Sequence, residues 1–379
     1  MKTAKQKTGK KQQASSQTTS NFKKYLLIAL GIAIIVSIIL IQKTRNEIQG
    51  TAQKVELTVK DDSARVTGKS LRYAKAIELV TPDGYINTGN KPITIAQYIG
   101  KNVILVDFWT YSCINCQRTL PYLNAWYEKY HDRGLVIIGV HTPEFDFEKD
   151  KSNVQRAVEK YGVKYPVVQD NQYQTWTAYG NHYWPHKYLI DIDGFIAYDH
   201  IGEGNYDETE KKIQRLLEER NTVLKLNESV GKEISKPHAD TPGQVGTPEI
   251  YFGYAFSRNQ FGNSEGWQPE KTFQYRIPEK LQSNLFYLEG SWLNNKDNME
   301  LAGNNGSIAL VFFAKKVHLV AGARTPTEVT VYVDGTESKK VMISSFDLYT
   351  VVSLDEPGAH TLEIKADTPG LMAYTFTFG

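Results

Sequence analysis

Cysteine is the scarcest residue in this chain: two among 379, Cys113 and Cys116. With both in one Cys-x-x-Cys pair, no thiol remains for a structural disulfide. The folded domains must rest on their cores alone, even in an oxidising compartment. No second cysteine pair exists to complete a four-cysteine zinc site. An excess of charge is missing too: 44 basic against 42 acidic residues leave a net charge of +2. That balance makes no case for nucleic-acid binding. The run Asp191-x-Asp193-Gly194 lacks the other ligands and the closing Glu of a calcium loop and reads as a hairpin turn. Nothing in the sequence calls for a cofactor or a resident metal.

One long apolar run is present, at 25–41. Its 17 residues are at the short end for a bilayer-spanning helix. No small-x-small cleavage site or lipid-accepting cysteine follows it, so it reads as a retained signal-anchor and not a cleaved signal peptide. Seven lysines and no acid precede it in 1–24, a tail with nothing to bury. By the positive-inside rule that tail is cytoplasmic and the remainder extracytoplasmic. Residues 42–73 are polar and read as a spacer.

Residues 102–108 are apolar apart from Asn102 and Asp107, β-branched and aromatic, the pattern of a buried strand. A helix begins at or near Cys113 and runs to 131. Three residues apart, the two cysteines share one face of its first turn. Free N–H groups and the positive end of the helix dipole stabilise a thiolate there. Cys113, nearer the end, is the candidate nucleophile, and Cys116 the thiol that resolves the mixed disulfide. Asp107 lies six residues before Cys113 between apolar neighbours. A buried carboxyl has a raised pKa and can take the proton of the second thiol. Trp109 and Tyr111 are candidate aromatics beside the thiols, although Trp109 suits core packing as well. Pro121 falls inside the helix and should kink it.

Further along, 76–79 and 85–87 flank Pro82-Asp83-Gly84 and suggest a hairpin, and 93–98 a short helix. Strands at 135–141, 166–168, 187–191 and 195–200 alternate with helices at 151–161, 173–179 and 209–220. This is an α/β domain over 74–220. Residues 221–248 carry three prolines and several glycines and read as a linker. From 249 to 379 helix signals vanish and short strands recur between turns, with Asp334-Gly335 and Pro357-Gly358 as clear turns. That points to an all-β sandwich, of jelly-roll type. Tyr251, Phe252, Tyr254, Trp267, Phe286, Tyr287 and Trp292 there offer either core or a sugar-stacking platform.

Val106-Asp107-Phe108-Trp109, then Cys-x-x-Cys, then Pro121 resembles thioredoxin. The version Trp109-Thr110-Tyr111-Ser112-Cys113-Ile114-Asn115-Cys116-Gln117-Arg118 is most similar to the membrane-tethered, extracytoplasmic TlpA/DipZ-like branch. Ile114-Asn115 departs from the Gly-Pro of cytoplasmic thioredoxin. The surplus at 145–168 matches the extra βα unit of TlpA-like proteins. The resemblance implies that Pro185, before the closing hairpin, is cis and that Trp184-Pro185 holds the substrate backbone. It implies a redox disulfide Cys113–Cys116, and a β-domain similar to carbohydrate-binding modules, for which a glycan is the candidate ligand. The expected function is a single-pass, membrane-anchored thiol–disulfide oxidoreductase. It would serve cysteine-containing envelope proteins, in cytochrome c maturation or oxidative repair, with a separate membrane electron donor if it is a reductase. Two alternatives accompany it. One is a wall-glycan adhesion protein with an auxiliary redox domain. The other is copper or zinc delivery by the thiols with His182 and His186.

Overall fold

The computed structural model describes residues 42–43, 62–89, 91–241 and 243–379. The basic tail and the apolar run at 25–41 lie outside the described residues, as does most of the spacer. Among the described residues no helix is long and apolar enough to cross a membrane. The end of the spacer holds a helix the sequence did not announce, α1 (Asp62–Ser70). Its Lys69 ammonium sits among Asp191, Asp193 and Glu219, at 2.7, 2.7 and 2.5 Å.

A six-stranded sheet follows. Its strands are β1 (Gly84–Ile86), β2 (Val103–Trp109), β3 (Leu135–His141), β4 (Val167–Gln169), β5 (His186–Ile190) and β6 (Ile196–Ile201). The spatial order is β1-β4-β3-β2-β5-β6. β2, β3 and β4 run parallel, and β1, β5 and β6 pair antiparallel. Helices α2 (Ile114–Tyr130), α3 (Lys151–Lys160), α4 (Gln174–Ala178) and α5 (Tyr206–Leu224) connect and cover it. This is the thioredoxin-like α/β sheet that the motif implied.

Every residue of β2 is buried because both faces are covered. Val103, Leu105 and Trp109 face one cluster with Leu120, Leu123 and Trp126 of α2 and Ile213 and Leu217 of α5. Ile104, Val106 and Phe108 face a second cluster with Trp176, Tyr179 and Tyr188. Each such side chain contributes about 1.5–3 kcal/mol of burial. The two-residue strand period puts Asp107 on the first face, with α2.

Two local expectations give way. Residues 76–79 do not pair with β1, which runs against β4 instead, Gly84 opposite Gln169. The Glu78 carboxylate turns to the backbone N–H groups of Leu79, Ile95 and Ala96, and 93–98 is a turn, not a helix.

An all-β domain fills the rest. Its strands are β7 (Ile250–Tyr251), β8 (Thr272–Tyr275), β9 (Phe286–Asn294), β10 (Met299–Leu301), β11 (Gly306–Ala323), β12 (Thr327–Val333), β13 (Thr336–Ile343), β14 (Asp347–Ala366) and β15 (Leu371–Phe378). β11, β15, β10 and β9 pair in a ring, since β11 also meets β9, which makes a small barrel with flanking strands. Asp334-Gly335 forms the expected turn between β12 and β13, both residues at positive φ (51° and 77°). Pro357-Gly358 does not reverse the chain. It lies inside β14, where residues 354–357 bulge out opposite the Ala314/Lys316 step of β11. A proline is tolerated there because no ladder N–H is required of it.

Candidate active site

Cys113 is the N-cap of α2, with extended backbone (φ −76°, ψ 119°). Its Sγ accepts a hydrogen bond from the Cys116 N–H at 3.3 Å. Cys113 is partly exposed, and Cys116 is buried behind it, 1% exposed. Both are free thiols. Burial pushes the Cys116 thiol up, and Cys113 and Asp107 add to the effect.

Asp107, whose charge acts on Cys116, is 1% exposed, and its Oδ1 has no hydrogen-bond partner. Burial raises its carboxyl to about 7, against the opposing pull of Lys187. Lys187, directly across in the β2–β5 ladder, is also 1% exposed. Burial lowers its ammonium, which Asp107 and Cys116 partly offset. Its Nζ donates to the Gly202 carbonyl at 2.8 Å. Sequence reasoning missed this lysine. The available signal was a lone cation in an otherwise apolar strand, but the pairing with Asp107 needs the register.

The Trp184–Pro185 peptide is cis. It lies one step past the Phe108–His186 pair, at the end of β2 from which the cysteine loop departs. Pro185 is buried, and its carbonyl accepts from Gly202 N–H at 2.8 Å. The Trp184 indole is half-buried against Trp176, and its Nε1 donates to the Thr142 carbonyl at 3.0 Å. The open aromatic on this loop is Tyr183, 51% exposed.

Two proposed substrate contacts are corrected. Trp109 is wholly buried in the core with its indole edge-on to His141, so it offers no surface to a substrate. Tyr111, 2% exposed, is covered by the β-domain: its hydroxyl donates to the Phe346 carbonyl at 3.1 Å. Its ring stacks on His141, which burial holds neutral, lowered to about 3. The β-domain aromatics suffer the same fate as a platform. Tyr251, Phe252, Phe286, Tyr287 and Trp292 are all buried, leaving Tyr254 and Trp267 part-exposed. His186 faces Asn181 at 2.7 Å and Asp199 at 3.0 Å through its two ring nitrogens, so neither is open to a metal beside the thiols. Among the described residues, the side chains grouped closely enough to hold a metal are Asp191, Asp193 and Glu219, which surround Lys69.

A second buried carboxylate, also missed, stands behind Cys113. Glu148 is wholly buried in the short turn Asp146–Lys149. Its Oε1 accepts from Ser112 Oγ (2.6 Å) and Ser112 N–H (3.3 Å), and its Oε2 from Glu144 N–H (2.6 Å) and Phe145 N–H (3.0 Å). Burial raises the Glu148 carboxyl above its ordinary range, and these donors offset only part of that rise. Phe145 and Phe147 pack with Tyr251, Phe256, Phe346 and Tyr374 of the β-domain. The Tyr251 hydroxyl lies 2.7 Å from Glu144 and 2.8 Å from Glu249. The β-domain is thus seated two bonds from the nucleophile's neighbour.

Comparison with known proteins agrees with this geometry. Residues 73–199 match the AhpC/TSA family, and residues 247–379 a thioredoxin-like C-terminal domain. The chain is 39% identical over 297 residues to protein DipZ of Mycobacterium tuberculosis, a match covering 78% of this chain and 41% of the relative. It therefore spans well under half of that protein. It is 32% identical over 126 residues to the thiol-disulfide oxidoreductase ResA of Bacillus thuringiensis, 33% of this chain and 69% of ResA. With YkuV of Bacillus subtilis, a thiol-disulfide oxidoreductase, identity is 28% over 130 residues, 34% of this chain and 87% of YkuV. A half-open Cys113 capping its helix over a buried Cys116 is what such a kinship requires, and the chain belongs to the thioredoxin-like thiol–disulfide oxidoreductases of TlpA/ResA/DipZ type.

Proposed function

We propose that this chain exchanges disulfides with extracytoplasmic proteins from a membrane anchor at 25–41. The observation that carries the reading is a partly exposed Cys113 capping its helix, a buried Cys116 behind it, and a buried Asp107 that acts on Cys116 and whose Oδ1 has no hydrogen-bond partner. In the reducing direction the Cys113 thiolate attacks a substrate disulfide and expels one substrate thiolate. The Cys116 thiol gives its proton to Asp107, and its sulfur then attacks Cys113 Sγ and expels the second substrate thiolate. The substrate gains two electrons and the pair becomes the Cys113–Cys116 disulfide. The Trp184-Pro185 loop holds the substrate backbone alongside. A separate membrane donor must return two electrons for each turnover. The domains on this reading are 1–24 tail, 25–41 anchor, 42–73 spacer, 74–220 redox, 221–248 linker and 249–379 β. The relatives named thiol-disulfide oxidoreductases favour the exchange chemistry, and its proposed use is envelope redox work, in cytochrome c maturation or repair of oxidised proteins.

The reduction potential of the Cys113–Cys116 pair tests the direction. A value near about −270 mV fits a reductase, whereas one near about −120 mV fits an oxidant and removes the maturation role. Cys116→Ser should accumulate a mixed disulfide through Cys113, and its absence under substrate disulfide sinks the mechanism. For the β-domain the finer reading is a jelly roll of carbohydrate-binding-module type. Its part-exposed Tyr254 and Trp267 supply what stacking surface remains, and retention of the full chain on wall polysaccharide tests it.

A further inference from the structure

We propose that Glu148 is a positioning residue for the exchange reaction. It fixes the turn that presents Cys113, and it does so from a segment seated on the β-domain. The inference rests on the reading of the cysteine pair as the exchanging group.

The argument is geometric. The turn 110–113 must deliver Cys113 to the N-cap with its Sγ against the Cys116 N–H. Ser112, the residue before the nucleophile, gives both its N–H and its hydroxyl to Glu148 Oε1. The Thr110 hydroxyl lies alongside the same carboxylate and 3.4 Å from His141 Nε2. The other carboxylate oxygen takes the N–H groups of Glu144 and Phe145, the residues that enter the β-domain interface. One side chain therefore joins the nucleophile's turn to the inter-domain seat. All four donors point at one acceptor group, so the loop on either side cannot shift without orphaning a buried donor. Glu148 touches no reacting sulfur, so its effect reaches the chemistry through the placement of Cys113. Small misplacements of a reacting group are expensive in rate.

The test uses the full chain, pre-reduced, attacking oxidised glutathione, with mixed disulfide and oxidised protein quantified by mass after acid quench. Every measurement is made well below the melting temperature of the variant concerned. Glu148→Gln should slow the attack about tenfold and move the amide resonance of Cys116, whose N–H reads the Cys113 Sγ position. Tyr251→Phe, which loosens the same seat from the β-domain side, should leave rate and resonance as in the wild type. An unchanged rate and resonance in folded Glu148→Gln overturns the proposal. So does an equal loss in Tyr251→Phe, which would mark a general effect of interface stability. If Glu148→Gln does not fold, Ser112→Ala removes one of the four bonds: a threefold slowing with a moved Cys116 resonance supports the proposal, and no change in either overturns it. Cys113→Ser separates the two layers. If it retains full exchange, the reading of the cysteine pair falls; if it is dead while Glu148→Gln is normal, only the positioning role falls.

Discussion

The two cysteines of this site stand on opposite kinds of ground. Behind Cys116 the protein leaves Asp107 short of donors, with Lys187 nearby but engaged to Gly202. Behind Cys113 it surrounds Glu148 with four. Both carboxyls are wholly enclosed, so burial alone does not separate them. Hydrogen bonding does. A carboxylate with its oxygens filled is a fixed part of the frame. One with an empty oxygen, raised by burial to about 7, can take up and return a proton near neutrality. Neutralising the two side chains should therefore give effects of opposite sign.

The largest effect is expected from Glu148→Ala. It strands two backbone N–H groups of the interface loop and both donors of Ser112. At about 1–3 kcal/mol for each orphaned buried donor, with partial relaxation, the loss should reach about 3–5 kcal/mol. Urea unfolding at pH 7 measures it, and a loss under about 1 kcal/mol erases the contrast.

Asp107→Asn should do the reverse. The folded carboxyl titrates at about 7, above its ordinary 3.8. The folded state therefore holds a proton that the unfolded state has released, and stability is lost as pH rises from about 4 through 7. The asparagine variant escapes that loss. It should be more stable than the wild type at pH 8, by up to about 4 kcal/mol at 1.4 kcal/mol per unit, and little different at pH 4. Its exchange should slow about 100-fold at the Cys116 step, with the mixed disulfide accumulating. Equal stability at both pH values removes Asp107 from its role.

Lys187→Met probes the same ground more gently. Lys187 holds Asp107 down, so its loss should push the carboxyl further up. The pH at which exchange becomes fast should rise by about one unit, the scale of a nearby opposite charge. A pH–rate profile that does not move shows that the ammonium serves only the Gly202 carbonyl.

How much of this could be read beforehand follows from the range of each signal. The cysteine pair, Asp107 and the β2 strand are local, and their period and composition identify them. Lys187 is invisible as a partner until β5 is laid against β2. Glu148 sits in Phe145-Asp146-Phe147-Glu148, where alternating acids and aromatics look like an exposed turn. Asp146 is indeed exposed, but Phe145 is buried against a second domain and Glu148 turns inward to Ser112. Tyr111 failed as a substrate contact for the same reason, since nothing local distinguishes an aromatic facing a cleft from one facing a neighbouring domain, and Trp109 because it packs in the core of its own domain. In the β-domain, Pro357-Gly358 lies inside β14 and not at a turn, since a bulge and a turn share the same proline and glycine.

The smallest effect tests whether the ground behind Cys113 has one tie or two. Besides Glu148, the turn is held by Tyr111, whose hydroxyl reaches the Phe346 carbonyl. That bond is neutral and its removal leaves one carbonyl to find water, so Tyr111→Phe should cost about 1 kcal/mol. The ring keeps its stack on His141 and its edge on Phe147, so the turn should keep its place and the exchange rate should stay within twofold. Combined with Tyr251→Phe, the stability losses should add to within about 0.5 kcal/mol, because the two hydroxyls serve different partners. A clear excess over additivity would mean that the domain contact yields as one unit. Glu148 would then be holding the nucleophile's turn against a moving surface, and the contrast between the two carboxyls would become one between a proton carrier and a hinge.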